Sequence, residues 1–286
     1  MFSDSMLSES MLSDSMLSES MLCSESRQLG NRQDHAVHGK YSKGYYLGVM
    51  DGHGTDRCID LLRQLDYSNL AEGNPCKHIF DLLSSYELYG SGSTFNFNTI
   101  EVTDRIRITN YNIGDSETMI LINGYVVFST NPHTINNESE KQRIRPYLSS
   151  VKPTSVSWNP TPVNAKRMTA LRSDRCNFAT GEPLVPSQSF GHNNMTGYAP
   201  DITTITCEVT DHVRILCGTD GFWNMIVKSI DMDDLETMPL EALMDKAEQR
   251  WKQEWEYAAD VKKLDTFCLT TFPDYDDVSL GIWDNR

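Results

Sequence analysis

The stretch Tyr45–Cys58, YYLGVMDGHGTDRC, decides how the rest of the chain is read. An apolar run breaks off at Asp51 and is followed by Gly52, His53 and Gly54. A short apolar run bounded by turn residues predicts a buried strand. Its end would set Asp51 at the rim of a sheet, where a side chain is held rigidly and still meets solvent or a ligand. An Asp-Gly pair after a strand is also an ordinary turn, with glycine supplying the dihedral freedom. The meaning of Asp51 therefore depends on whether other carboxylates occupy equivalent places.

Three do. Asp220 follows the apolar run RILCGT and precedes Gly221, Asp276 lies in the turn before VSLGIW, and Asp34 opens the short run HAV. Carboxylates gathered at one rim repel one another unless a cation neutralises them. Hard oxygen ligands suit Mg²⁺ or Mn²⁺, and the lack of thiolate or clustered imidazole argues against zinc. Gly54 gives the Asp51 loop a second flexible point, which lets a backbone carbonyl approach an ion.

Working outward, TDRCIDLLRQL spaces Cys58, Leu61, Leu62 and Leu65 for one face of a helix, and CKHIFDLLSSYEL predicts a second. From residue 92 the pattern changes to strands: STFNFNTIEV, DRIRITNYNI, TMILIN and YVVFST, with Asn123-Gly124 as a hairpin signal. Residues 145–200 carry Pro146, Pro153, Pro160, Pro162, Pro183, Pro186 and Pro200 and read as long loops over short strands. VRILCGTDGFWNMI reads as a strand running into a helix. Leu240, Met244, Ala247, Trp251, Trp255 and Ala258 have helical spacing, the tryptophans forming a core stripe. FCLTTF, DYDD and VSLGIW close the chain as strand, turn, strand. Strands outnumber helices, and the whole predicts packed sheets flanked by helices.

The chain has 286 residues, and 40 acidic against 25 basic side chains give a net charge of -15. With no basic block, nucleic acid is excluded as a general partner. Seven scattered cysteines without a CxxC pair point to a reducing compartment. No basic segment followed by an apolar core opens the chain and no long apolar run occurs, so a cytoplasmic protein without membrane contact is expected. Residues 1–20, MFSDSMLSESMLSDSMLSES, repeat M-(L/F)-S-(D/E)-S every five residues, a period that matches neither helix nor strand. A disordered acidic tail over residues 1–26, with serines open to phosphorylation, and a globular domain over 27–286 are expected.

Taken together and in order, these segments resemble the metal-dependent protein phosphatases of the PP2C type. The resemblance runs from about residue 28 to 284. VMDGHG resembles the family's V-x-D-G-H-G motif, SGST at 91–94 its S-G-S-T strand opening, and NIGDS at 112–116 its N-x-G-D-S. CGTDGFWNMI resembles the S-D-G-hydrophobic-W-D segment, YDDVS at 275–279 the closing motif, and NRQDHAV the opening one. The fold this implies is α+β, a central β-sandwich of two antiparallel sheets flanked by helices on both faces. The implied activity is hydrolysis of phosphoserine and phosphothreonine in proteins, by direct attack of a water held between two Mg²⁺ or Mn²⁺ ions. Asp51 would bridge the ions, with the Gly52 carbonyl and Asp34 completing one or both spheres. Asp220 and Asp276 would hold the other ion, and Asp115 lies where relatives have an optional third site. His53 resembles the family's general acid. Relatives often act as monomers, and no coiled-coil heptads occur here.

Several positions depart from the family pattern. Leu29 stands where many relatives have a phosphate-clamping arginine, leaving Arg27 and Arg32 as candidates to reach the same oxygens. Glu117 and Gln188 also replace arginines, and His192, in SQSFGH, replaces an aspartate that can serve the third metal. Lost positive charge predicts a weaker hold on substrate. His35 and His133 read as supporting residues. Two other functions compete: a pseudophosphatase that keeps the fold and binds a partner, and a phosphohydrolase of small molecules.

Overall fold

The computed structural model describes residues 20–148, 156–178, 183–258 and 268–286. The repeat at 1–19 lies outside them.

The strand Gly44–Gly54 shows how the sequence builds the layers. Successive side chains of a strand point to opposite faces. Tyr45, Leu47 and Val49 enter one buried cluster with Ile100, Ile108, Ile215 and Trp283, while Tyr46 and Met50 pack with a second that holds Cys58, Ile59, Leu62, Ile79 and Leu83. The run is apolar throughout because both of its faces are covered.

Two antiparallel sheets face each other across the first cluster. One has five strands in the order Met21–Arg27, Val278–Asp284, Val213–Gly218, Glu117–Ile122 and Tyr125–Ser129. The other runs Phe190–Gly191, Ser91–Ser93, Gly44–Gly54, Phe95–Val102, Arg105–Ile113 and Asp201–Glu208, with Asp34–Tyr41 also paired to Gly44–Gly54. Helices Arg57–Leu62, Tyr67–Ala71 and Pro75–Leu83 cover the outer face of the second sheet. Helices Asp220–Trp223, Lys228–Thr237 and Leu240–Lys252 cover that of the first. The expected helix-flanked β-sandwich is what the chain forms.

Asn123 and Gly124, both with positive φ, make the expected hairpin turn. Three expectations change. Met21–Arg27 pairs along its whole length with Val278–Asp284, so the sheet begins ahead of the boundary expected at residue 27. The helix from Leu240 ends at Lys252, and Trp255 and Ala258 belong to a strand, Trp255–Ala258, in a separate four-stranded sheet. Both tryptophans are nevertheless buried in the core that the helix shares with the first sheet. Within the proline-rich region, Val156–Pro162 and Arg167–Asp174 are full strands of that small sheet. Val156–Pro162 lies at its edge, where proline is tolerated because no neighbour needs its missing N–H.

Candidate active site

The alternation along Gly44–Gly54 carries Asp51 and His53 to the same face as Val49, toward the opposing sheet. Across the ladder Asp34 is the partner of Asp51 and Ala36 of Val49, so Asp34 shares that face. His35 points the other way, with its ring 6.3 Å from that of Tyr67. The opposing sheet supplies the rest: Asp115 just before Glu117–Ile122, Asp220 just after Val213–Gly218, and Asp276 just before Val278–Asp284. Pairing of Gly218 with both Glu117 and Leu280 puts these three strand ends at one edge. The closeness depends on Gly221, where a Cβ would fall 1.9 Å from the Asp277 carbonyl oxygen and 3.3 Å from Asp276 Cβ.

Charge accumulates there, and among the described residues no Lys or Arg forms an ion pair with these five carboxylates. Burial, and then the charges of Asp220, Asp34, Asp276 and Asp115, push the Asp51 carboxyl well above its ordinary range. Asp276 and Asp115 are raised in the same way, burial first and Asp220 next. Burial also raises Asp220. For Asp34 burial again dominates; the Thr219 and Ser279 hydroxyls offset part of it, and the carboxyl stands at about 7. Among the described residues no three histidine, cysteine, aspartate or glutamate side chains converge tightly enough to chelate one ion directly. The donors are all oxygen, as a cation that keeps much of its water prefers.

His53 lies over Gly92, its ring stacked on that of His192 with centroids 4.8 Å apart. Both ring nitrogens of His53, and Nε2 of His192, are buried without a hydrogen-bond partner. Burial, and after it the neighbouring His192, pushes His53 down to about 3; the Asp51 backbone carbonyl acts in the opposite direction but falls short of hydrogen-bond geometry. His192 itself is lowered to about 4 by burial. It sits at φ 46°, followed by Asn193 and Asn194, also in left-handed conformation.

Several supporting residues were not singled out in the sequence. Thr219 Oγ1 donates to Asp34 Oδ2 at 2.8 Å. Asp277 accepts from the backbone N–H of Gly30 and of Gln33 at 2.6 and 2.8 Å, fixing the loop that carries Asp34. Thr94 Oγ1 accepts from Asp51 N at 3.0 Å and is bonded to Ser116. Each neighbours a motif aspartate in sequence or across a strand, the one signal that could have found them. His133 is a supporting residue: its Nδ1 accepts from Gly114 N and Gln188 Nε2, both at 3.1 Å, and Nε2 meets Asp201 at 3.1 Å.

The positions that lost arginine are otherwise employed. Leu29 packs against the core shared with helix Leu240–Lys252. Gln188 is buried between His133 and the Ala199 N–H. Glu117 pairs with Lys228 at 2.7 Å. Arg27 is held by Glu25, Asp245 and Glu248. Arg32 is exposed, with φ 66°.

The fold defines a class, the helix-flanked β-sandwiches, here with carboxylates gathered at one end. Residues 91–230 match the family profile of protein phosphatase 2C. Solved structures agree in fold. A C. elegans sex determining protein superposes with TM-score 0.56 at 13% identity, over 94% of this chain and 65% of that one. The PPM Ser-Thr phosphatase MsPP from Mycobacterium smegmatis, in complex with cacodylate, gives 0.52 at 14% over 94% and 98%. Stp1, a serine/threonine phosphatase from Staphylococcus aureus, gives 0.51 at 16% over 93% and 94%. No curated protein matches the chain in sequence.

Proposed function

We propose that the chain is a divalent-metal-dependent protein phosphatase acting on phosphoserine and phosphothreonine. The observation that carries this reading is the group of five carboxylates, Asp34 and Asp115 buried and Asp51, Asp220 and Asp276 half-buried, all raised by desolvation and most of them by one another's charge. Such a group is costly to keep ionised unless cations share the site. Asp51 and the Gly52 carbonyl, with Asp34 on one side and Asp220 and Asp276 on the other, would hold two Mg²⁺ or Mn²⁺ ions largely through water, and Asp115 a weaker third. Bound there, the ions would supply Lewis acidity and a water of lowered pKa.

The chain's own residues then have distinct tasks. Thr219 and Thr94 hold the Asp34 carboxylate and the Asp51 backbone in place, and Gly221 lets Asp220 and Asp276 approach. His53 would act as the general acid, its imidazolium giving a proton to the departing serine or threonine oxygen and regaining one from solvent; burial, which lowers its pKa, makes that charged form scarce near neutral pH. Leu29, Glu117 and Gln188 leave the clamp to Arg32, the exposed arginine two residues before Asp34, so the substrate would be held weakly at the rim. Free cysteines among the described residues fit a reducing interior such as the cytosol. No helix among them is long and apolar enough to cross a membrane.

The second reading, a pseudophosphatase that binds a partner, draws on the same replacement of arginine at Leu29, Glu117 and Gln188. Phosphate release from a phosphothreonine peptide, with Mn²⁺, with Mg²⁺ and with chelator, separates the two. Metal-dependent release that disappears in Asp51→Ala and in Asp220→Ala supports catalysis. A folded wild type that binds metal and releases nothing supports the binding role.

A further inference from the structure

A cavity of about 240 Å³ lies between the end of helix Pro75–Leu83 and residues 189–198. It is smaller than pockets that enclose drug-sized molecules and matches a single long side chain. Its walls are aromatic: Phe80 and Tyr198, with ring centroids 4.3 Å apart, together with Tyr86 and Phe190. The one charged side chain in its lining is Glu87, which is exposed and has no ion-pair partner among the described residues. Ser189, also in the lining, is 5% exposed and its hydroxyl is buried without a partner. Aromatic faces with a free carboxylate and an unclaimed hydroxyl oxygen attract a cation that can also donate hydrogen bonds. Glu87 repels an anion, and the net charge of -15 draws basic ligands to the protein.

The cavity is tied to the catalytic rim. Gly191 and Asn193 line it, while His192 between them stacks on His53. Gly191 pairs with Gly92, and Gly92 with His53, so two strand spacings, ~10 Å, separate the cavity wall from His53. An extended peptide covers that distance in about three residues.

We propose that this cavity takes an arginine or lysine side chain of the phosphoprotein substrate, about three residues from the phosphorylated residue. The proposal rests on the phosphatase reading and names its substrate class: basic phosphorylated segments. It also assigns a source for the hold on substrate that the absent arginines do not provide.

The test is a set of phosphothreonine peptides, alanine-flanked, with one arginine moved through the neighbouring positions and a parallel set with phenylalanine. kcat/KM with Mn²⁺ is measured for wild type, Glu87→Gln, Ser84→Phe, which adds bulk at the cavity mouth, and Asp104→Asn, a change of charge in a distant turn. Arginine at one position is expected to raise kcat/KM about tenfold over alanine, mainly through KM. That ratio should fall toward one in Glu87→Gln and Ser84→Phe and persist in Asp104→Asn. Equal rates for all peptides overturn the proposal and leave the phosphatase reading standing, as does a preference for phenylalanine. An equal loss in Asp104→Asn overturns it too, since general charge would then be responsible. If no peptide is hydrolysed, fluorescence anisotropy of the same peptides decides. Tighter binding of one arginine peptide that both cavity variants abolish supports the cavity while the catalytic reading falls, and equal affinities overturn both.

Discussion

Asp34 and Asp51 are direct partners across an antiparallel ladder, with both side chains on the face turned to the opposing sheet. Like charges opposite each other destabilise a strand pair, and here Asp34 is buried and Asp51 half-buried as well. A sheet that keeps this pair sacrifices stability at the position where a cation would recover it. The pair therefore makes the stability of the protein depend on pH and on metal together.

The direction follows from proton binding. Asp34 rises from an ordinary value of 3.8 to about 7 in the folded state, so between those values the folded chain binds more protons than the unfolded one. Stability of the metal-free protein should fall as pH rises through this window, with the loss complete above about 7. Thermal unfolding in chelator is expected to give a lower Tm at pH 8 than at pH 5.5, and Mn²⁺ to raise Tm more at pH 8. In Asp34→Asn the metal-free Tm should vary less with pH. A Tm in chelator that climbs from pH 5.5 to 8 would contradict the buried-carboxylate account.

His133 holds the backbone of Gly114, the residue before Asp115. Its ring accepts from Gly114 N and Gln188 Nε2 and meets Asp201, and the residue is 1% exposed. His133→Ala strands the buried Gly114 N–H and the Gln188 amide, and an unmade buried hydrogen bond costs about 1–3 kcal/mol. Urea unfolding should show a loss of about 2–4 kcal/mol. A change below ~0.5 kcal/mol would mean that the ring is not part of the fold's support.

The rim was legible because it obeys strand alternation: Asp51, Asp220 and Asp276 each adjoin an apolar run whose end fixes their place. What was not legible depended on partners distant in sequence. Met21–Arg27 continues the composition of the repeat, and only pairing with Val278–Asp284 makes it a strand. Trp255 continues the helical spacing of Trp251, yet Gln253 turns to extended backbone and Trp255 pairs with Thr270 instead. His192 was visible as an odd residue in a family motif, but its stacking on His53 arises from the pairing of Phe190–Gly191 with Ser91–Ser93. The aromatic cavity had no signal at all, since its walls come from two segments about a hundred residues apart with no common period.

Asp231 tests a part of the fold away from the rim. It is 2% exposed, holds both ends of the Arg250 guanidinium at 2.6 and 2.9 Å, and accepts from Val227 N at 2.7 Å. Removing one partner of a buried ion pair leaves the other charge uncompensated, at about 3–5 kcal/mol. Asp231→Ala should lose that much in urea unfolding. Its carboxyl is held below the ordinary range, with burial opposed by Arg250 and other donors. The pair's contribution is therefore present above about pH 4 and disappears as pH falls through the lowered pKa.

Gly221 offers the sharpest contrast between local preference and the demands of the site. It lies in the short helix Asp220–Trp223, where helix propensity favours alanine over glycine by about 1 kcal/mol. Yet a Cβ there would meet the Asp277 carbonyl oxygen at 1.9 Å, a backbone atom that cannot rotate aside. The turn holding Asp276 and Asp277 must then retreat from Asp220. It must also disturb Asp277, which fixes the loop ahead of Asp34 through Gly30 and Gln33. Gly221→Ala should therefore destabilise the protein by about 1–3 kcal/mol despite the better helix former. Mn²⁺ affinity, read by calorimetry, should weaken about tenfold or more, since ligand groups must stay within about half an ångström of their places. Unchanged affinity in a folded variant would mean that Asp220 and Asp276 do not hold one ion between them.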